Sequence, residues 1–245
     1  MDPHFKIITP VYNSESWIAK CIASVKNQSY GNFVQVIVDD CSTDDTLKIA
    51  VSETQGDERF KVVRKEKRLG ALHSHIVGTR FLCETAEKED IIVHLDGDDW
   101  LYDDKVLKTV LEVYKNDECL ATYGSYESTD DNFPCVCHAK DPNVGYRQYI
   151  RRGWIFSHLR TFKKFLWDQL KMSDLVDSNG NLFSCACDVA IMCPILEMAG
   201  DRVSFIKDKL YVYNRDNPLN DDKVGLHDQA RCALEVAAKG TYNKL

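Results

Sequence analysis

Four times within residues 1–115 a short apolar run gives way to a polar turn and then to apolar residues at helical spacing. The runs are Phe5 to Thr9, Phe33 to Val38, Phe60 to Val63 and Ile91 to Leu95. Each has the length of a buried strand. The first is followed by Trp17, Ile18, Cys21, Ile22 and Val25, with Ser14 or Ser16 as cap; the second by a helix from Asp44 to about Glu53, with Ser42 or Thr43 as cap. The third leads through Gly70 into a helix from Ala71 to about Glu87. The fourth leads into one from Asp103 that carries Val106, Leu107, Val110, Leu111 and Tyr114 on one stripe. Pro10 removes a backbone donor and is expected to end the first strand. Strict alternation of this kind predicts an α/β fold with a mostly parallel central sheet and helices on both faces.

In such sheets ligands sit outside the carboxyl ends of the strands. Tyr12, Asp40, Gly70 and the group Asp96 to Asp99 all fall there, so distant pieces of sequence converge on one crevice. The stretch IIVHLDGDDWLYDD, Ile91 to Asp104, is the most informative of them, because Asp96, Asp98 and Asp99 crowd into one turn. Like charges this close repel unless donors or a cation hold them, and oxygen ligands of this kind suit a hard divalent ion. No GxxxxGK[ST] loop is present and no GxGxxG follows the first strand, which removes P-loop and dinucleotide folds. A metal-bound diphosphate matches the remaining inventory of acids and one aromatic.

The second half is less regular. Strands are expected at Leu120 to Tyr126 and Phe133 to Ala139, and a short helix at Gly145 to Arg152. Trp154 to Leu170 reads as exposed polar positions, His158 and Arg160, mixed with a helix. Trp154 and His158 are candidates to flank a sugar, and Trp167 for the core. Asp188 begins a helix that Pro194 should kink and Gly200 end. Val203 to Ile206 and Lys209 to Tyr213 read as a hairpin turning at Lys207 and Asp208; a polar loop, Asn214 to Asp222, then precedes a closing helix, Leu226 to Lys239. A net charge of −7 argues against nucleic acid as partner. No run of 18 or more apolar residues spans a bilayer, and MDPHFKIITP has no leader pattern, so the expected site is cytoplasmic, with the ten cysteines as thiols.

Three motifs carry a resemblance: Thr9-Pro10-Val11-Tyr12-Asn13, the turn Asp39 to Thr46 (DDCSTDDT), and Leu95 to Asp99 (LDGDD). In this order and spacing the chain resembles a family 2 glycosyltransferase of the GT-A fold. The likeness is clear over about residues 5–115, with SHLRTFK (157–163), LEMAG (196–200) and YNRDNP (213–218) as weaker echoes. It implies a single Rossmann-like GT-A domain over residues 1–245, with a nucleotide-binding half at 1–115 and a sugar and acceptor half at 116–245. It also implies a metal-dependent, inverting hexosyltransferase that uses a UDP-sugar donor. Thr9 and Pro10 would wall the base and ribose, Tyr12 lie against the base, and Asp40 accept the N3 hydrogen of uracil. Asp96 would face the ribose and Asp98 bind Mn²⁺ or Mg²⁺, with Asp99 as helix cap or supporting partner. Family members often carry Asn-x-Gly and Arg-Asn where Arg68-Leu69-Gly70 and His75-Ile76 stand here, so Arg68 and His75 become the candidate diphosphate or ribose contacts. Asp188 takes the position of the general base, and Arg215 or Arg160 would complete the charge around the leaving group. The loop Asn214 to Asp222 resembles segments that close over donors.

The acceptor implied is a glycan, a glycoprotein or another hydroxyl, and peripheral contact with a membrane stays open. Two other classes compete. A nucleotide-sugar or glycan binding module on the same fold would bind UDP without turnover. A phosphatase with an aspartyl nucleophile would place its DxD motif near the chain start and follow it with Gly-Thr or Gly-Val, whereas Asp99-Trp100 follow here.

Overall fold

The computed structural model describes residues 3–245; Met1 and Asp2, the start of the segment read for a leader, lie outside them. The expected alternation is present. Strands β1 (Phe5–Val11), β2 (Phe33–Asp39), β3 (Phe60–Arg64) and β4 (Ile91–His94) alternate with helices α1 (Ile18–Lys26), α2 (Thr46–Thr54) and α3 (Ala71–Cys83). A two-residue strand β5 (Trp100–Leu101) precedes α4 (Val106–Asn116). The second half supplies β6 (Ala121–Ser128), α5 (Tyr146–Arg152), β7 (Arg160–Lys163), α6 (Lys164–Asp168), α7 (Cys187–Ala199), β8 (Val203–Tyr213), α8 (Asp221–Val224) and α9 (Leu226–Ala238).

These strands form one eight-stranded sheet in the order β3-β2-β1-β4-β7-β6-β8-β5. The first four are parallel, β1 lying between β2 and β4. Beyond β4 the sheet becomes mixed: β7 runs antiparallel to both β4 and β6, and β8 runs parallel to β6. Two apolar layers cover it. Ile8, Val36 and Val38 pack under α3 with Leu72 and Ile76, and the side chains of α7 join the same layer. Phe5, Ile7 and Ile37 point to the other face, with α1 and the stripe of α4. Alternate residues of β1 thus feed opposite layers, and each fully buried aliphatic side chain contributes about 1.5–3 kcal/mol.

Several local expectations are corrected. β1 continues through Pro10 to Val11, because Pro10 still offers its carbonyl, which accepts from Gly97 N at 3.0 Å. None of the expected serine or threonine caps donates or accepts across a helix start: the residues preceding α1 and α2 are Trp17 and Asp45, without side-chain cap bonds. Phe133 to Ala139 is not a strand. Pro134 lacks a donor, and the segment is a loop held at its carbonyls by Tyr126 and Tyr123 hydroxyls, which donate to Pro134 O at 3.4 Å and His138 O at 2.8 Å. Within Trp154 to Leu170 the helix shrinks to α6, and Arg160 to Lys163 become a central strand. The expected hairpin at Lys207 and Asp208 is a bulge inside one continuous β8, where the pairing with β6 jumps from Ile206 opposite Gly124 to Lys209 opposite Ser125.

Candidate active site

The carboxyl ends of β1, β2 and β4 open into a cleft of about 310 Å³. Pro10, Tyr12, Asp40, Arg68, His75, Asp96, Asp98 and Asp188 all line it, so the pieces singled out in the sequence do meet. Two of them stand apart. Thr9 is fully buried, its hydroxyl accepting from Gln35 Nε2 at 2.7 Å, because its alternation on β1 turns it into the sheet. Arg215 lies over the Phe133 ring at 4.1 Å and reaches the Tyr213 hydroxyl at 3.3 Å, outside the cleft lining.

The acid turn is seated tightly on the end of β1. Gly97 N donates to Pro10 O, and a Cβ at Gly97 would meet Val11 Cβ at 2.7 Å and Pro10 O at 2.9 Å, so only glycine fits between the acids. The three carboxylates then diverge. Asp99, 1 % exposed, accepts from Tyr211 Oη at 2.6 Å and from Asn214 N at 2.7 Å. Burial, with the Asp98 and Asp96 charges added, pushes it well above the usual carboxylate range. Asp98 accepts from Asn217 Nδ2 at 2.7 Å, and burial next to the Asp96 charge pushes it up to about 6. For Asp96, burial opposes ionisation, but the Arg160 guanidinium, donating to Oδ2 at 3.1 Å, holds the carboxyl below its ordinary value.

Arg160 is the pivot of the far wall. It was expected to be exposed and is 4 % exposed, since β7 enters the sheet between β4 and β6 with Arg160 opposite His94. One guanidinium nitrogen faces Asp96 and the other faces Asp188 Oδ2 at 3.5 Å. Asp188 sits in the first turn of α7, where a helix amino terminus favours negative charge. His158, also expected to be exposed, is 8 % exposed and stacks on Tyr211 at 4.3 Å and Tyr213 at 5.1 Å. Burial lowers its pKa to about 3; it lowers that of His75, whose Nε2 is 3.9 Å from Asp96, to about 4. Both imidazoles are therefore neutral near pH 7. Asp96, Asp99 and His158 present atoms within 4.8 Å of one another, a spacing that suits a metal ion. Both Asp99 oxygens, however, already accept hydrogen bonds and Asp96 faces a guanidinium, whereas Asp98 has a neutral amide as partner.

At the other end of the cleft the Arg68 guanidinium lies over the Tyr12 ring at 3.8 Å. Asp40 is buried. Its oxygens accept from Leu69 N at 2.8 Å and Gly70 N at 2.7 Å, and Lys65 Nζ lies 2.5 Å from Oδ1. Lys65 is in turn held by Ser74 Oγ at 3.1 Å.

Sequence reasoning missed Lys65, Tyr211, Asn214 and Asn217. The three asparagines of the 214–220 segment are all buried, and the Nδ2 of Asn220 donates to Asn214 O at 3.0 Å, which folds the segment back on the acid turn. The signal available was composition: NRDNPLN is rich in asparagine, a residue that satisfies carboxylates and carbonyls without adding charge.

The family model described as "Glycosyl transferase family 2" matches residues 6–180. The chain belongs to this family. Among curated relatives, glycosyltransferase GlyG of Streptococcus pneumoniae serotype 4 is 26 % identical over 227 residues, covering 88 % of this chain and 72 % of its own. Among solved structures, a 1–349 fragment of S. aureus TarS superposes with a TM-score of 0.67 at 22 % identity, covering 86 % of this chain and 60 % of that fragment. TarS has also been solved with UDP and with UDP-GlcNAc. The mannosyltransferase PcManGT of Pyrobaculum calidifontis, solved with GDP-Man and Mn²⁺, superposes with a TM-score of 0.61 at 19 % identity, over 97 % of this chain and 74 % of its own. These likenesses show the GT-A fold. The chain spans about half the length of some curated relatives, 49 % for EpsH of Bacillus subtilis. Among the described residues no helix is long and apolar enough to cross a membrane.

Proposed function

We propose that the chain transfers a sugar from a UDP-sugar to an acceptor hydroxyl with inversion, with Asp188 as general base. The observation that carries this reading is the position of Asp188. It faces the acid turn across one guanidinium, 3.5 Å from Arg160, which also holds Asp96. A carboxylate opposite the leaving-group site is what in-line displacement needs, because it takes the acceptor proton on the face away from the nucleotide.

Tyr12 supplies an aromatic face and Arg68 a cationic one for the base, and Asp40 has a lone pair left for the N3 hydrogen of uracil beyond the two amides and the Lys65 ammonium already on it. TarS, with its UDP complexes, supports the choice of uridine. His75 and Asp96 line the path toward the diphosphate. Asp98 fits a divalent cation, Mn²⁺ or Mg²⁺: its carboxyl is destabilised as a bare anion by burial and by Asp96, and the one side-chain hydrogen bond described for it is from a neutral amide. Such a cation, when bound, offsets the charge of the departing diphosphate. The acceptor is a glycan, a glycoprotein or another hydroxyl compound.

The test is Asp188→Asn, assayed for transfer and for UDP binding. Turnover is expected to fall by roughly 10²- to 10⁴-fold while calorimetry shows UDP bound as before. Unchanged turnover would remove Asp188 from the mechanism.

A further inference from the structure

The reaction proposed above leaves the donor sugar unspecified, and the charges around Asp188 narrow it; the inference rests on that reading. If Asp188 takes the acceptor proton, the sugar lies between Asp188 and the acid turn, in the stretch of cleft that Arg160 spans. Among the described residues lining the cleft, the permanent cations are Arg68 and Arg160. Arg68 belongs to the nucleotide end, where its guanidinium covers Tyr12. Arg160 is buried and already faces two carboxylates, Asp96 at 3.1 Å and Asp188 at 3.5 Å. One positive charge against two negative ones leaves the sugar end net negative.

Nearby cations outside the lining are also engaged, Lys65 with Asp40 and Arg215 over Phe133. A divalent ion at Asp98 would be met by the two phosphates it serves. Ser184, Asn220 and Gln229 also line the cleft, and all three are neutral and hydrogen-bonding. Such groups bind hydroxyls and amides, the inventory of an uncharged sugar.

We propose that the donor carries a neutral hexose or N-acetylhexosamine, and that the cleft discriminates against acidic sugars such as uronic acids. A sugar carboxylate would enter a low-dielectric cleft beside Asp96 and Asp188, and like charges brought together there are costly.

Calorimetric titration of the whole chain in Mn²⁺ with UDP, UDP-glucose, UDP-N-acetylglucosamine and UDP-glucuronic acid tests this. UDP-glucuronic acid is expected to bind at least about tenfold more weakly than UDP-glucose. Asp188→Asn, which removes one negative charge and releases one arm of Arg160, is expected to narrow that gap. Equal or tighter binding of UDP-glucuronic acid by the unmodified protein overturns the proposal, as does a gap that stays the same in Asp188→Asn. Failure of UDP itself to bind is a separate result, which overturns the donor reading on which the inference stands.

Discussion

The hydroxyl of Tyr211 joins two residues of the acid turn to β8, and removing it tests how that turn is held. In Tyr211→Phe the ring, fully buried in β8, keeps its packing. Three contacts disappear: the bond donated to Asp99 Oδ2 at 2.6 Å, a longer one shared with Asp96 Oδ2 at 3.4 Å, and the one accepted from Asp96 N at 3.2 Å. The bond to Asp99 contributes about 1 kcal/mol while the acid is protonated and about 1.5–3 kcal/mol once it is ionised, and the one to the amide about 1 kcal/mol, so the expected loss is about 2–4 kcal/mol. For a chain of this size that lowers Tm by roughly 5–12 °C. The loss should also depend on pH. Burial raises the folded-state pKa of Asp99 above its unfolded value, so this group costs stability progressively as pH rises above the ordinary carboxylate range. The Tyr211 hydroxyl favours the ionised form and moderates that cost. Without it the folded pKa climbs further, so the deficit of the variant grows once pH passes the folded-state value of the parent. Urea denaturation at pH 5.5 and pH 8 measures both quantities. A loss below about 0.5 kcal/mol, or one that shrinks toward pH 8, would refute the assignment of Tyr211 as the donor that holds Asp99.

Other perturbations follow from the same site. If Asp98 holds Mn²⁺ as proposed, the ion displaces the proton that Asp98 retains up to about pH 6, so Mn²⁺ affinity is expected to fall about tenfold per pH unit below that value; titrations at pH 5 and pH 7 that agree would exclude Asp98 as the ligand. Gly97→Ala forces a Cβ to 2.7 Å from Val11 Cβ and should cost about 1–3 kcal/mol of unfolding free energy. A thermal melt unchanged from the parent would show that the turn has room to move. Arg160→Met leaves Asp96 and Asp188 without their shared cation and should destabilise by about 3–5 kcal/mol. Chemical denaturation within 1 kcal/mol of the parent would mean that the guanidinium holds neither acid.

How much of this could be read from residues alone follows the locality of the interactions. Tyr12, Asp40, Asp96 and Asp98 sit at ends of strands whose order comes from short βα crossovers, and a period of apolar residues is enough to place them. Arg160 was visible as a charge but not as a buried one. Its neighbours in SHLRTFK alternate as a strand would, yet Trp154 to Leu170 reads as exposed polar positions mixed with a helix of apolar period 3 to 4, and only the insertion of β7 between β4 and β6 puts that arginine in the core. Lys207 and Asp208 read as a turn because polar pairs between apolar runs usually are; here the cost of two extra residues is absorbed as a bulge, keeping β8 paired with β6 on both sides. Thr9 illustrates the reverse error. It belongs to a recognisable motif, but alternation along β1 had already assigned its side chain to the interior.

The placement of β7 bears on how such a chain could be cut or spliced. β4, which delivers the acid turn, pairs on its outer side with a strand from the second half, and the Tyr211 hydroxyl that holds Asp99 comes from 112 residues farther along the chain. A fragment ending after α4 would carry every nucleotide-side motif and still present an unpaired central strand edge, a template for intermolecular pairing. It would also carry three crowded acids stripped of Arg160, Tyr211 and Asn217. Such a piece should aggregate when expressed alone, and chimeras that exchange acceptor specificity would have to join their parts within the loops after β8, leaving β7 with the strand it completes.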